Sequence, residues 1–263
     1  MMLSVTEQLY LIDSLKAIPP IRADGRAAAQ FRPLDVAVDF LPNSNGSARI
    51  ITSDGSEALV SVKSKVVDHT VTSELIVVDV DITGQREDSP EVSSMASLVR
   101  RILAANVDAG ALRLTKKYSF QLSVDVLVLC SQSYPVSLIS FSIYAALKTT
   151  QLPKLVSGYD DLEVEELPLF HDHDLEPLAV EVPLLFTVAV VGDNVLVDPS
   201  AEEAGVSSAG LLLTWHGGRV AAPLRSIGIS EHFCSGFQIA HLLKAIELVK
   251  AHAPAVARAL YNL

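Results

Sequence analysis

The chain has 263 residues, 49% of them hydrophobic and 19% charged, with a formal net charge of −11. That much apolar material excludes wholesale disorder, and the length suits one large domain or two small ones. Two cysteines, Cys130 and Cys234, are too few for a disulfide scaffold or a four-thiolate zinc site and read as small buried apolar groups. No apolar run approaches the ~20 residues that span a bilayer, and the start, Met1-Met2-Leu3-Ser4, lacks the basic and apolar regions of a signal peptide. The expected class is a soluble intracellular protein.

Ser4 and Glu7 form a capping-box pattern that opens a helix with Leu11, Leu15 and Ile18 on one face, stopped by Pro19-Pro20. A polar arm follows from Arg22 to Arg32. From Leu34 the period becomes two: Leu34, Val36, Val38 and Phe40 alternate with Asp35, Ala37 and Asp39, as in a half-buried strand. Asp54-Gly55 joins strands at 47–53 and 57–67 in a hairpin. Residues 75–82 predict a strand, 91–105 a helix and 120–129 a strand. Pro135 opens a helix to Lys148, with Ile139, Ile143 and Leu147 on one face. Beyond an acidic connection come strands at 184–191, 195–198, 210–215 and 219–225. A closing helix has Leu242, Leu243, Ile246 and Val249 as its core stripe, and Pro254 is expected to bend it. Strands followed by a helix thus occur twice, which predicts an α+β chain of two similar halves packed as one unit. The expected organisation is an arm over 1–33, a first half over 34–158, an acidic connection over 159–183 and a second half over 184–263.

Eight acids lie between Asp160 and Glu176, and without them the net charge would be −3. A free nucleic-acid binder carries a basic face, so the global charge argues against that role but leaves room for a local contact. His171-Asp172-His173-Asp174 could place two histidines on one side of an extended segment, as metal binding needs, but no third ligand follows at a fixed spacing, and the acidic setting favours a solvated loop. Glu202-Glu203 after Asp198 could serve acid–base or metal chemistry, and surface carboxylates are the simpler account. No nucleophile elbow, phosphate loop or dinucleotide fingerprint is present. The basic pairs Lys63 and Lys65, Arg100 and Arg101, and Lys116 and Lys117 could each hold phosphate oxygens or simply keep the surface soluble. Composition and spacing stop there.

Longer stretches carry a resemblance. Arg22-Ala23-Asp24-Gly25-Arg26 with Phe31-Arg32-Pro33 is similar to the entry motif of the ribonuclease-PH-type ring subunits of the RNA exosome. The stretches from Phe40 to Ser47, Val62 to Asp68, Leu114 to Phe120, Tyr134 to Phe141 and Asp160 to Pro168 extend it, and the likeness runs from Ser4 to Leu263. The resemblance implies a ribonuclease-PH-type fold of two βαβ-containing halves. It also implies a place in a six-member ring of related subunits capped by three RNA-binding proteins. The work implied is ribosomal RNA maturation and 3′-to-5′ RNA turnover in nucleus, nucleolus and cytoplasm, alongside the catalytic exosome ribonucleases and without cofactor or membrane. Lys63, Lys65, Arg100 and Arg101 match positions that face the RNA channel in related ring members.

The departures bear on catalysis. Active members of that family hold inorganic phosphate in a Gly-Gly-Thr-Arg turn at the start of the central helix, where free amides and a guanidinium make an anion pocket. Here the matching stretch is Gln132-Ser133-Tyr134-Pro135-Val136, in which proline removes a donor and valine replaces the cation. Active members also carry in the second half an acidic pair followed some residues later by an aspartate; Glu202-Glu203 approximates the pair, while the later position falls near Ala209. The expectation is a catalytically inactive ring subunit. The rivals are a phosphate-dependent exoribonuclease with a remodelled site and a self-associating RNA-binding protein outside any exosome.

Overall fold

A computed structural model describes residues 3–86, 88–157, 168–230 and 233–261. Helix α1 (Val5–Lys16) is closed by the Ser4–Glu7 capping box. The first half then folds as β1 (Leu34–Val38), β2 (Gly46–Thr52), β3 (Glu57–Asp68), β4 (Ile76–Ile82), α2 (Pro90–Asn106), β5 (Tyr118–Cys130) and α3 (Val136–Thr149). Its sheet has the order β1-β2-β3-β5-β4, antiparallel except for the parallel pair β4 and β5, which α2 connects. A two-stranded ribbon follows, β6 (Gln151–Leu155) against β7 (Phe170–Pro177). The second half comprises β8 (Leu184–Val191), β9 (Asn194–Val197), the short α4 (Ala201–Gly205), β10 (Ala209–His216), β11 (Arg219–Ile227) and α5 (Ile239–Tyr261). Its sheet has the order β11-β10-β8-β9. Strands β9 and β10 both run antiparallel to β8, so they run the same way and α4 lies on the crossover between them.

Helix α3 is the hub. Twelve consecutive residues, Val136–Leu147, are buried, so the helix is enclosed all round and not, as the spacing of Ile139, Ile143 and Leu147 suggested, on one stripe. Its serines pin it to the second sheet. Ser137 Oγ accepts the Thr187 amide at 2.8 Å, and Ser140 Oγ accepts the Leu185 amide at 2.9 Å. Each bond satisfies a buried donor that would otherwise cost about 1–3 kcal/mol. On the other side α3 meets β2 at Gly46, where a Cβ would lie 2.4 Å from Thr150 Oγ1 and 2.6 Å from the Ala146 carbonyl. All eight residues of β8 are buried, with α3 and α5 both packed on the strand. Phe186 on β8 meets Phe31 of the arm and Phe141 of α3 edge-on, at centroid distances of 5.6 and 5.5 Å. One hydrophobic core therefore runs through both halves.

Several sequence expectations are corrected. Strand β1 ends at Val38, because Asp39 turns the chain with φ 52°, and Phe40 lies outside it and is exposed. On α1, Leu11 and Leu15 are buried but Ile18 lies past the helix end and is exposed. Helix α5 buries His241, Ala245, Val249, Ala253, Ala257 and Leu260. Its core face is thus built largely of small residues, which let the backbone approach the sheet, while Leu243 is 56% exposed. The helix runs on through Pro254 to Tyr261. Cys130 and Cys234 are both exposed, not buried. The described part of the acidic connection contains strand β7, whereas Asp160, Asp161, Glu163, Glu165 and Glu166 lie outside the described residues. Among the described residues no helix is long and apolar enough to cross a membrane.

Candidate functional site at the start of helix α3

The loop from Ser131 to Pro135 delivers the chain from β5 into α3. Pro135 is the N-cap, in αR geometry (φ −81°, ψ −1°), with no side-chain cap bond. As proline it offers no amide to a ligand. Val136, where the family pattern calls for arginine, has 0% exposure and belongs to the core. A long cation at that position would have to be buried rather than presented.

A cavity of about 490 Å³ opens in front of this turn. Its walls are mostly apolar: Phe31, Leu138, Phe141, Val256 and Leu260, with Tyr134 beside them. Arg32 is the one cation among the described residues that line it. The Arg32 guanidinium is already committed. Nη2 donates to Asp198 Oδ1 at 2.6 Å and Nε donates to Asp198 Oδ2 at 3.0 Å. Nη1 donates to Asp54, and Nη2 also reaches Ser133 Oγ at 3.2 Å. Burial works against the Arg32 charge, but Asp198, Asp54 and Glu203 outweigh it and raise its pKa. An orthophosphate would have to displace a carboxylate from that fork. The incoming anion would regain charge-assisted bonds but would leave the part-buried Asp198 and Asp54 without that partner and beside a second negative charge, so the exchange favours the internal pair.

Behind the cavity lies a buried ionic cluster that ties the arm to the second half. Arg22 donates from Nε and Nη2 to both oxygens of Glu203, at 2.7 and 2.6 Å. Its remaining donors reach the carbonyls of Val197 at 3.1 Å and Asp198 at 3.0 Å. Arg26 reaches Asp24 at 2.6 Å and Asp198 at 3.2 Å. Glu203 is only 1% exposed and closes a capping box with Ser200 on α4. The sequence reading of Glu202-Glu203 as surface carboxylates is therefore wrong for Glu203 and right for Glu202. The partner that explains its burial lies 181 residues away. Ala209, near the second expected acid, begins β10 and is buried.

Asp54 connects this cluster to the β2–β3 hairpin. Burial pushes its carboxyl up, but the Thr52 hydroxyl, the Ser56 amide and Arg32 more than offset that, and the pKa lies below the ordinary 3.8. A depressed native pKa stabilises the fold above the ordinary value, and the contribution is lost as pH falls through the lower native one. Urea midpoints taken from about pH 6 down to about pH 3 should fall more steeply for the natural chain than for Asp54→Asn. Parallel curves would remove Asp54 from the account.

The predicted channel residues are all exposed but do not form one patch. Lys63 and Lys65 lie on the outer face of β3, opposite Ser123 and Gln121 of β5. That face also bears Asp79 and Asp125, exposed and paired in register. Arg100 and Arg101 lie on the solvent side of α2, which packs through Val99 and Ile102 on the opposite face of the sheet. Arg100 stands 3.5 Å from Glu74, whose carbonyl takes a bond from Gln121. Both pairs thus lie toward the end of the sheet where β4 begins, on opposite sides of it. Lys117 is engaged with Asp68 at 3.9 Å and lies over the Tyr118 ring. His171 and His173 are exposed on strand β7 rather than in a loop, and His171 stands 3.5 Å from Asp174. No group of three potential metal ligands exists among the described residues.

Comparison with known proteins supplies the context. Residues 30–153 match the model of the 3′ exoribonuclease family, domain 1. The chain is 54% identical over 266 residues to the exosome complex component RRP42 of Saccharomyces cerevisiae, covering 100% of both chains. It is 27% identical to the exosome complex component rrp42 of Schizosaccharomyces pombe, covering 95% of this chain and 90% of that one. In three dimensions it superposes on a chain of the Archaeoglobus fulgidus exosome with RNA bound to the active site, with a TM-score of 0.74 and 20% identity over 95% of this chain and 96% of that one.

Proposed function

The chain belongs to the Rrp42 family of ribonuclease-PH-like exosome components, and from that premise we propose that it is a non-catalytic ring subunit of an RNA exosome, supporting 3′-to-5′ RNA processing and ribosomal RNA maturation. The observation that carries the non-catalytic part is the state of the α3 start. Pro135 offers no amide, Val136 is core, and Arg32 is held by Asp198 and Asp54. One missing electrostatic stabiliser costs about 10²–10³ in rate, and here both the amide at 135 and the cation at 136 are missing. The catalytic ribonucleases, the other ribonuclease-PH-like subunits and the RNA-binding cap subunits are then its partners, in nucleus, nucleolus and cytoplasm.

The surface supports a ring position. Val5, Leu9 and Tyr10 are 72%, 56% and 76% exposed on α1, and Ile239 is 77% exposed at the start of α5. Large apolar groups gathered on outward helix faces mark surfaces that a stable neighbour covers. Lys63, Lys65, Arg100 and Arg101 act in this reading as sparse phosphate contacts along the channel, without base readout.

Native mass spectrometry of the chain purified from its own cells should return a hetero-oligomer containing other ribonuclease-PH-like chains. RNA cross-linked to that assembly should reach peptides bearing Lys63 and Lys65 or Arg100 and Arg101. Recovery of homo-oligomers alone would refute the ring assignment. Cross-links confined to other faces of the chain would refute the channel contacts.

A further inference from the structure

The cavity before α3 has lost its use for phosphate but has not collapsed. Its volume, about 490 Å³, lies within the range of sites that take small organic molecules, and its mainly apolar walls with a few convergent polar groups fit the same description. Apart from Asp35, the charged side chains on its walls are spent on partners. Asp198 binds Arg32 and Arg26, and Asp54 binds Arg32. The further charges near Tyr134, Arg225 and Glu91, act on its hydroxyl in opposite senses. Asp35, also on the lining, is exposed to solvent. An anion would find the one lining cation among the described residues already paired, and a cation would find only the solvent-exposed Asp35, so the desolvation of a charged ligand would be poorly repaid.

Among the neutral side chains on the described walls, one polar group has no protein partner. The Tyr134 hydroxyl has no hydrogen-bond partner among the described residues. Burial pushes its pKa above the ordinary 10.0, against the Arg225 charge and with that of Glu91, so it stays protonated and able to donate. Ser133, Ser137 and Ser56, also on the walls, are each engaged with protein partners.

We propose that this cavity is a binding site for an uncharged, largely apolar small molecule that offers a hydrogen-bond acceptor to the Tyr134 hydroxyl. The inference rests on the reading that this site holds no phosphate.

Five probes separate charge from shape: acetophenone, benzoate and benzamidine, which share one ring, with toluene as the ring lacking an acceptor, and inorganic phosphate. Each is titrated into the purified full chain and followed by protein-observed NMR. Acetophenone should bind about tenfold more tightly than benzoate or benzamidine. Tyr134→Phe should weaken acetophenone about 2- to 10-fold, the worth of one neutral hydrogen bond, and leave toluene unchanged. Ala255→Trp, at an exposed position on the wall, should abolish both without unfolding the chain. Equal binding of the three ring compounds, no binding at about 10 mM, or binding indifferent to Ala255→Trp would overturn the proposal. Phosphate bound at the α3 start would overturn both this inference and the non-catalytic reading. Failure of acetophenone alone would overturn only this inference.

Discussion

Glu203→Ala should destabilise the fold by about 3–5 kcal/mol, because it strands the Arg22 guanidinium in the interior. The Arg22 side chain is 0% exposed and Glu203 takes two of its bonds, at 2.7 and 2.6 Å. The same substitution removes the capping box of α4, in which Glu203 Oε2 accepts the Ser200 amide at 2.9 Å. Glu203→Gln keeps an acceptor but not the charge and should fall between the natural chain and Glu203→Ala. Replacing Arg22 and Glu203 together by apolar residues of similar size should cost much less than Glu203→Ala, since no charge is then left unpaired. Urea denaturation of the four proteins reads these differences directly. A loss below about 1 kcal/mol for Glu203→Ala would place the pair at the surface rather than in the interior.

Gly46→Ala should cost about 1–3 kcal/mol, the usual penalty for forcing an extra group into a packed core. The added methyl would meet Thr150 Oγ1 at 2.4 Å, the Ala146 carbonyl at 2.6 Å and Thr150 Cα at 2.8 Å. Two of those atoms are backbone, so a side-chain rotation cannot relieve the contact. The displacement would push the C-terminal end of α3 away from β2. Gly55→Ala gives the contrast: its Cβ meets nothing within 4 Å, and its penalty comes from φ +82° alone. Thermal melts in which Gly46→Ala is neutral would mean that α3 does not approach β2 as closely as described.

Much of the fold was legible because local rules and the final structure agree. The Ser4–Glu7 capping box, the Asp54-Gly55 turn and the period-two pattern from Leu34 each place an element where it occurs. The β6–β7 ribbon was not legible. Pro153 interrupts one strand, and the other, exposed throughout except for half-buried Phe170, carries no apolar alternation. The face of α5 was misread because leucine outranks alanine in any hydrophobic tally, whereas the sheet accepts Ala245, Ala253 and Ala257 at close range. The lack of an amide donor at Pro135 and of a cation at Val136 was readable from residue types alone, once the resemblance supplied the matching pattern. The commitment of Arg32, Arg26 and Arg22 to Asp198 and Glu203 was not, because partners more than 160 residues apart leave no periodic trace. The signal was indirect: three arginines in an arm of eleven residues, in a chain that is otherwise acidic.

The central claim is that the site before α3 cannot bring orthophosphate to RNA. It is tested by incubating the purified chain with single-stranded RNA, with and without inorganic phosphate, and measuring nucleoside diphosphate release. The account predicts no release above the protein-free control in either condition. Release that requires phosphate, and that disappears on Arg32→Ala in a chain that remains folded, would contradict it.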